Sequence, residues 1–324
     1  MTKSMKPIFR TEHGQLYVGK CEDLLGSTGF KRWKGKIQLL FTSPPFPLKR
    51  KKRYGNFEGK EYLTWLSDLA PVFAEFLTKD GSIVIEMGNA WETGAPVQSL
   101  LPIKALLQFA ENKQAKLKLC QEFVCYNPAR LPSPAQWVTI ERIRLKDSFT
   151  RLWWMAKTDR PDADNRRILK GYSRAMKELL ERRGYNAGVR PSEHVISAEG
   201  FLKKHRGAIR PNVIDPKEDR IPTDTVEFAN TGSMEGYQDF CRENKLVGHP
   251  ARMPVKLAEL FIRFLTKPGD LVLDPFSGSN TVGFAAEALN RKWISIEADS
   301  RYAAASISRF DPEFAASLVK KNGA

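Results

Sequence analysis

The chain reads as an α/β protein built on a mostly parallel sheet with helices on both faces. Three observations carry that reading. Short apolar runs alternate with amphipathic stretches over most of the chain, the pattern parallel strands joined by crossover helices require. Hydrophobic residues make up 42% of the sequence, enough for a sizeable core and too many for a disordered chain. The 324 residues allow one large α/β domain with a smaller module, or two modest domains.

In chain order, residues 16–18 and 37–41 read as strands and 63–77 as a helix. Residues 82–87 form a strand, 100–112 a helix, and 122–126 and 151–156 two further strands. Trp153 and Trp154 fall on opposite faces of the last, because strand side chains alternate. After a gap come helix 255–265, strand 271–274, helix 281–289, strand 293–297 and helix 300–308.

Residues 159–248 break the pattern. Between Arg166 and Arg210 there are 12 Lys or Arg against 4 Glu, and Pro191, Pro211, Pro216 and Pro222 punctuate the stretch. Within it, 165–183 reads as a helix with Ile168, Tyr172, Met176, Leu179 and Leu180 on one face. The segment is expected to carry a partner surface and to lie outside the sheet. The parts are therefore 1–158, 159–248 and 249–324, with the first and last sharing one sheet.

The net charge of +15 is clumped, as in proteins that meet a polyanion. Cys21, Cys120, Cys125 and Cys241 have no metal-ligand spacing, so no metal site and no disulfide framework are expected. No stretch approaches the roughly 20 apolar residues of a membrane helix. Residues 1–10 lack the apolar run of a secretory signal, so a cytosolic protein is expected.

The segment Leu271-Val-Leu-Asp-Pro-Phe-Ser-Gly-Ser-Asn-Thr-Val-Gly283 has the form of the first βα unit of a nucleotide-cofactor fold. A buried strand ends in Asp274, a tight turn holds Gly278, and a helix starts near Thr281 with its free N–H groups at the turn. The next strand ends in Glu297, placed to accept hydrogen bonds from ribose hydroxyls. The loop lacks the GxGxxG glycines of a dinucleotide site and the Lys of a phosphate loop. A cofactor with ribose but no phosphate fits better, and S-adenosylmethionine is one. An ordinary βα turn is the plainer reading, against which the pairing with Glu297 weighs.

Strand 37–41 runs into Thr42-Ser43-Pro44-Pro45-Phe46. Two prolines remove two N–H donors and fix the backbone, leaving carbonyls outward to accept hydrogen bonds from an amino group. The exocyclic amine of a nucleobase is a poor nucleophile because its lone pair is delocalised. Acceptors for its N–H groups turn that lone pair toward a methyl donor, so catalysis is positioning plus electrostatics. Phe46 can stack on the base, which must leave the duplex to arrive.

These motifs resemble those of amino-methyltransferases. Ser43-Pro44-Pro45-Phe46 resembles their catalytic motif, and His249-Pro-Ala-Arg-Met-Pro254 and Asp274-Pro-Phe-Ser-Gly-Ser279 resemble their cofactor motifs. The catalytic motif comes first and the cofactor motif last, as in the permuted β class of DNA enzymes, and the likeness extends over nearly the whole chain except 159–248. The resemblance implies a circularly permuted, Rossmann-like sheet of seven strands. It implies that Ser43 and the Pro44 carbonyl bind the target amine, Pro45 stiffens the turn, Phe46 stacks and Glu86 makes a second polar contact. Asp274, Pro275, Phe276, Gly278, Ser279, Asn280 and Thr281 line the cofactor, with Glu297 on the ribose and Pro254 and Lys256 beside the methionine end. Two departures stand out. Asn280 replaces a common Gly, and Asn also tolerates left-handed backbone. Gly19-Lys20 replaces a common Gly-Asp, leaving the adenine contact unassigned.

Ser43 at the first motif position points, by the same resemblance, to cytosine N4 over adenine N6, whose enzymes more often carry Asp there. No Pro-Cys pair exists for a cytosine-C5 nucleophile. Double-stranded DNA is the expected partner; the resemblance implies a short palindromic target such as CAGCTG and a restriction endonuclease acting separately. A monomer or weak dimer in the bacterial cytoplasm, near the nucleoid, is expected. The run Lys49-Arg50-Lys51-Lys52-Arg53, next to the catalytic motif, is expected to clamp phosphates, and Arg166, Arg167, Lys203, Lys204 and Arg206 to contribute to DNA binding. The competing readings are an adenine-N6 enzyme, an RNA or protein amino-methyltransferase (against which the motif order argues), and a catalytically silent DNA-binding subunit.

Overall fold

The computed structural model describes residues 6–46, 59–183, 187–197, 202–215, 232–246, 248–250 and 252–322. In chain order its elements are β1 (Phe9–Arg10), β2 (Gly14–Val18), α1 (Cys21–Gly26), β3 (Ile37–Thr42), α2 (Gly59–Phe76), β4 (Leu77–Gly88), α3 (Leu101–Ala110), β5 (Lys118–Tyr126) and β6 (Phe149–Ala156). Then follow α4 (Arg174–Arg182), β7 (Gly188–Val189), β8 (Val195–Ile196), β9 (Val213–Ile214), α5 (Gly232–Glu243), α6 (Val255–Leu265), β10 (Leu271–Asp274), α7 (Thr281–Ala288), β11 (Lys292–Glu297), α8 (Ser300–Ser306) and α9 (Pro312–Asn322).

The sheet order is β1-β2-β11-β10-β3-β4-β6-β5-β9. Strands β2, β11, β10, β3 and β4 are parallel, β6 runs against β4 and β5, and β1 runs against β2. The C-terminal strands β10 and β11 sit between β2 and β3, so the two ends of the chain interleave in one sheet. This pairing brings two motifs distant in sequence to neighbouring strand ends: Leu273 of β10 faces Leu40 of β3.

Each face carries its own core, and the central strands feed both. Ile83 and Ile85 face the helices α1 to α3, while Val84 faces α6, α7 and α9. Trp153 and Trp154 divide between the faces as strand alternation requires. Full burial of one such apolar side chain contributes about 1.5–3 kcal/mol, so the center of the sheet is the rigid platform for the loops at its rim.

The seven strands read from the sequence are all present, six with longer ends and β10 with the bounds expected. The two additional strands of the main sheet, β1 and β9, are two residues each and lie at its edges. Strand β9 corrects the expectation that 159–248 lies outside the sheet: Val213 and Ile214 pair with Val124 and Cys125 of β5, and Ile168 and Ile214 enter a core. The helix expected at 165–183 divides. A single tight turn, Asn165–Ile168, comes first, and Lys170 then forms a bridge with Ala208. Helix α4 starts only after Ser173, whose side chain accepts the Met176 N–H at 3.2 Å. Helix α5 in the same region had no counterpart in the sequence reading.

Candidate active site

The carboxyl ends of the parallel strands converge on one cavity of about 600 Å³. Strand β3 delivers Ser43-Pro44-Pro45-Phe46 to it, β4 delivers Glu86, β10 delivers Asp274 to Ser279 with Thr281 behind, and β11 delivers Glu297. Thr42 ties the two motifs directly, donating through Oγ1 to Asp274 Oδ1 at 2.7 Å in a buried bond. Asp274 Oδ1 also accepts the Phe276 N–H at 3.1 Å, which closes the turn.

At one end the residues are hydrogen-bond acceptors around an aromatic ring. The Ser43 hydroxyl and Thr150 Oγ1 both donate to the Glu86 carboxylate, the latter at 2.8 Å. Burial pushes the Glu86 carboxyl above the usual carboxylate range, against the pull of those two donors and the Arg130 guanidinium. Gly88 lies directly opposite Thr150 in the β4–β6 pairing. A Cβ there would stand 2.6 Å from Phe46, so the missing side chain seats the Phe46 ring.

At the other end, Glu297 holds the cofactor-type loop. Its Oε2 accepts the Gly278 N–H and its Oε1 the Asp299 N–H, both at 2.8 Å. Gly278 has φ +50° and an added Cβ would lie 3.0 Å from the His249 ring, so both the turn and the close approach require glycine. Arg309 supports the loop from behind, donating through Nε to the Ser279 carbonyl at 2.7 Å. Burial pushes Asp274 up to about 7 and raises Glu297 as well.

A family model described as DNA methylase, covering N6 and N4 methyltransferases, matches residues 37–308. The chain belongs to this DNA methylase family. A curated relative, the type II methyltransferase M.PvuII of Proteus hauseri, is 39% identical over 307 residues, covering 94% of this chain and 86% of that protein. The solved structure of the PvuII DNA methyltransferase (cytosine-N4-specific) superposes with a TM-score of 0.73, covering 99% of this chain and 97% of that one. Identity falls to 33% in that alignment, which takes in more of the chain. The M1.HpyAVI structure, at 17% identity and a TM-score of 0.51, shares the fold. The likeness to permuted amino-methyltransferases read from the sequence is borne out.

Within this methylase cavity the structure brings together Ser43, Pro44, Pro45, Phe46, Glu86, Asp274, Pro275, Phe276, Gly278, Ser279, Thr281 and Glu297. Three expected residues stand outside its lining. Asn280 is fully buried behind the loop, where Oδ1 accepts the Ser295 hydroxyl at 2.6 Å. Its left-handed φ of 54° is the conformation for which Asn substitutes for Gly. Pro254 and Lys256 begin α6, while the preceding Arg252 and Met253 line the cavity instead.

Of the expected DNA contacts, Lys49, Arg50, Lys51, Lys52 and Arg53 lie outside the described residues. Arg167 is at the opposite end of the sheet: its Nη1 donates to the Thr266 carbonyl at 3.0 Å, and Asp162 and Asp164 flank it at 3.6 and 3.7 Å. Arg166 next to it is exposed and bonded to Asp164. Both stand at the amino ends of the parallel strands, away from the cavity mouth. Composition marks them as basic but cannot say which end of a sheet they occupy. Lys203, Lys204 and Arg206 are exposed on the segment before β9.

Sequence reasoning missed several lining residues. Thr150 reaches Glu86 only through the β4–β6 pairing. Trp65 stands 5.6 Å from Phe276 and donates to Glu22, both also in the lining. Arg130 follows the end of β5 and is anchored to Asp147 at 3.0 Å.

Proposed function

We propose that the protein is an S-adenosylmethionine-dependent enzyme that methylates the N4 amine of a cytosine flipped out of duplex DNA. The observation that carries this reading is the single cavity in which Ser43-Pro44-Pro45-Phe46 with Glu86 faces the Asp274–Thr281 turn with Glu297.

Its residues fit this cofactor. A volume of about 600 Å³ accommodates a ligand of that size beside a base edge. The turn from 274 to 281 holds no Lys or Arg, as a phosphate-free ligand allows. Ser277 Oγ is buried in the cavity wall without a hydrogen-bond partner among the described residues, a polar atom for a ligand to satisfy. Glu297 retains acceptor capacity beyond its three backbone donors, Gly278, Ala298 and Asp299, which suits ribose hydroxyls. S-adenosylmethionine supplies, when bound, an electrophilic methyl on a sulfonium.

The chain's own residues then work on the amine. The Pro44 carbonyl and the Ser43–Glu86 pair accept its N–H groups, which orients the nitrogen lone pair. The raised Glu86 carboxyl is poised to take the proton the amine sheds, through the Ser43 hydroxyl. Phe46 covers one face of the base. The specificity of a relative favours N4: the PvuII DNA methyltransferase, whose structure aligns over 99% of this chain, is cytosine-N4-specific. The basic run 49–53 is assigned to phosphates, and 159–248 to reading the target sequence. A monomer or weak dimer paired with a separate endonuclease completes the reading, in a bacterial cytoplasm.

The test is transfer of labelled methyl from S-adenosylmethionine to plasmid DNA by the purified protein, followed by nucleoside mass spectrometry. N4-methylcytosine is the expected product, and Glu297→Ala should raise the cofactor Kd by about 100-fold through lost charge-assisted hydrogen bonds. N6-methyladenine as the sole product would overturn the choice of base.

A further inference from the structure

Beside the base end of the cavity rises the connection from β5 to β6, residues 127–148. Its root is fixed in the cavity wall. Arg130 lines the cavity and donates to Asp147 at 3.0 Å and to the Phe149 carbonyl at 3.1 Å, and Asp147 also accepts the Asn89 amide at 2.8 Å. The connection is folded on itself. Lys146 Nζ reaches the Pro128 carbonyl at 2.6 Å, Arg144 donates to the Ser133 carbonyl at 2.8 Å, and the Arg144 guanidinium lies over the Trp91 ring.

Its outer side chains are of the wrong kind for water. Leu131 is 80% exposed, Leu145 89%, Ile140 68% and Ile143 61%. Large aliphatic groups gathered in water on one loop mark an interaction surface. Leu131 follows Arg130 and Leu145 precedes Asp147 by two residues, so both leucines leave from the ion pair at the cavity wall. The exposed Arg142 and Lys146 flank Ile143 and Leu145, while Arg144 between them is turned inward onto Trp91. The partner must therefore offer apolar surface flanked by negative charge, next to the base site. A duplex from which one base has been withdrawn has that chemistry: the gap is bounded by apolar base faces and bordered by phosphates. Withdrawal costs stacking and pairing energy, which a side chain entering the stack offsets.

We propose that residues 127–148 form the wedge that opens the duplex, with Leu131 and Leu145 entering the stack as the target base leaves. This rests on the base-flipping function given above. The test compares the full-length protein with Leu131→Ala/Leu145→Ala on two duplexes, one with the target normally paired and one with the target facing an abasic site. Methylation rate is measured on both, together with the fluorescence gain of 2-aminopurine placed at the target position. Both leucines are mostly in water, so truncation should leave Tm unchanged. On the paired duplex, rate and fluorescence gain should fall about tenfold, a sizeable share of an unstacking cost of a few kcal/mol. On the abasic-facing duplex they should be unchanged, because opening is already done, and Leu131→Met/Leu145→Met should restore the paired rate. An equal fall on both duplexes, or no fall on either, would overturn the wedge while leaving the methyltransferase reading intact. So would loss of a parent dimer in the variant with both rates retained, which would assign the leucines to a second copy. A parent that methylates neither duplex would overturn the function and the wedge together.

Discussion

The two ends of the central sheet treat buried charge in opposite ways. At the amino ends of the parallel strands, Arg291 is buried and its guanidinium is satisfied by the Thr266 hydroxyl and carbonyl and the Leu289 carbonyl. Arg167 and Lys267 there share Asp162. At the carboxyl ends, Glu86, Asp274 and Glu297 are three buried carboxylates that form no ion pair with a Lys or Arg among the described residues, and burial raises all three. A charge whose bonds are completed by its own chain holds the fold together. Carboxylates held by two or three N–H or O–H donors keep acceptor capacity for a ligand, at a cost in stability. The difference separates structure from function without reference to sequence motifs.

The largest expected effect lies at the functional end. Ser43→Ala and Glu86→Gln should each lower kcat by about 10²- to 10³-fold, the scale of losing one preorganised polar contact to a reacting group. Cofactor Kd, measured by calorimetry, should change less than about twofold, since neither residue belongs to the Glu297 end. A matched loss of cofactor binding would dissolve the division of labour inside the cavity.

The structural end should answer the reverse way. Arg291→Met strands the Thr266 and Leu289 carbonyls and should cost about 2–4 kcal/mol in urea denaturation. The kcat of the fraction that remains folded should be unchanged.

Proton linkage gives a third contrast. Asp274 rises from 3.8 in the unfolded chain to about 7 when folded. The folded protein thus holds a proton that the unfolded chain has released. The stability tied to that proton is complete below about pH 4 and is lost as pH rises toward 7, with a limiting slope of about 1.4 kcal/mol per pH unit. Glu86 and Glu297 shift in the same direction. Denaturation of the ligand-free protein between pH 4 and 7 should show declining stability, and Asp274→Asn should flatten the decline. Equal slopes in parent and variant would contradict the burial argument.

The smallest effect belongs to Arg166. It is exposed, bonded to Asp164 and at the end of the sheet away from the cavity. Arg166→Ala should change DNA affinity less than about twofold at physiological salt, whereas loss of a true phosphate contact would also reduce the salt dependence.

The same contrast explains what was legible in the sequence. Both halves of the cavity announce themselves locally: two prolines after a strand, and a strand-turn-helix with Gly278 followed by Glu297. Thr150, Trp65 and Arg130 do not, because they reach the cavity through strand pairing, a helix face and the connection after β5, which composition cannot reveal. Strands β1 and β9, at two residues each, are too short for a periodic signal. The basic surplus in 166–210 was visible, but its division between a fold-holding arginine such as Arg167 and side chains open to a partner depends on which end of the sheet each occupies.

The most direct test of the central claim, that one cavity joins amine acceptors to a methyl-donor site, is modification sequencing of DNA from a methylation-free host expressing the protein or its Ser43→Ala variant. The account predicts N4-methylcytosine at a single short motif with the parent and its near absence with the variant. Methylation undiminished in the variant, or no modified base in either, would contradict it.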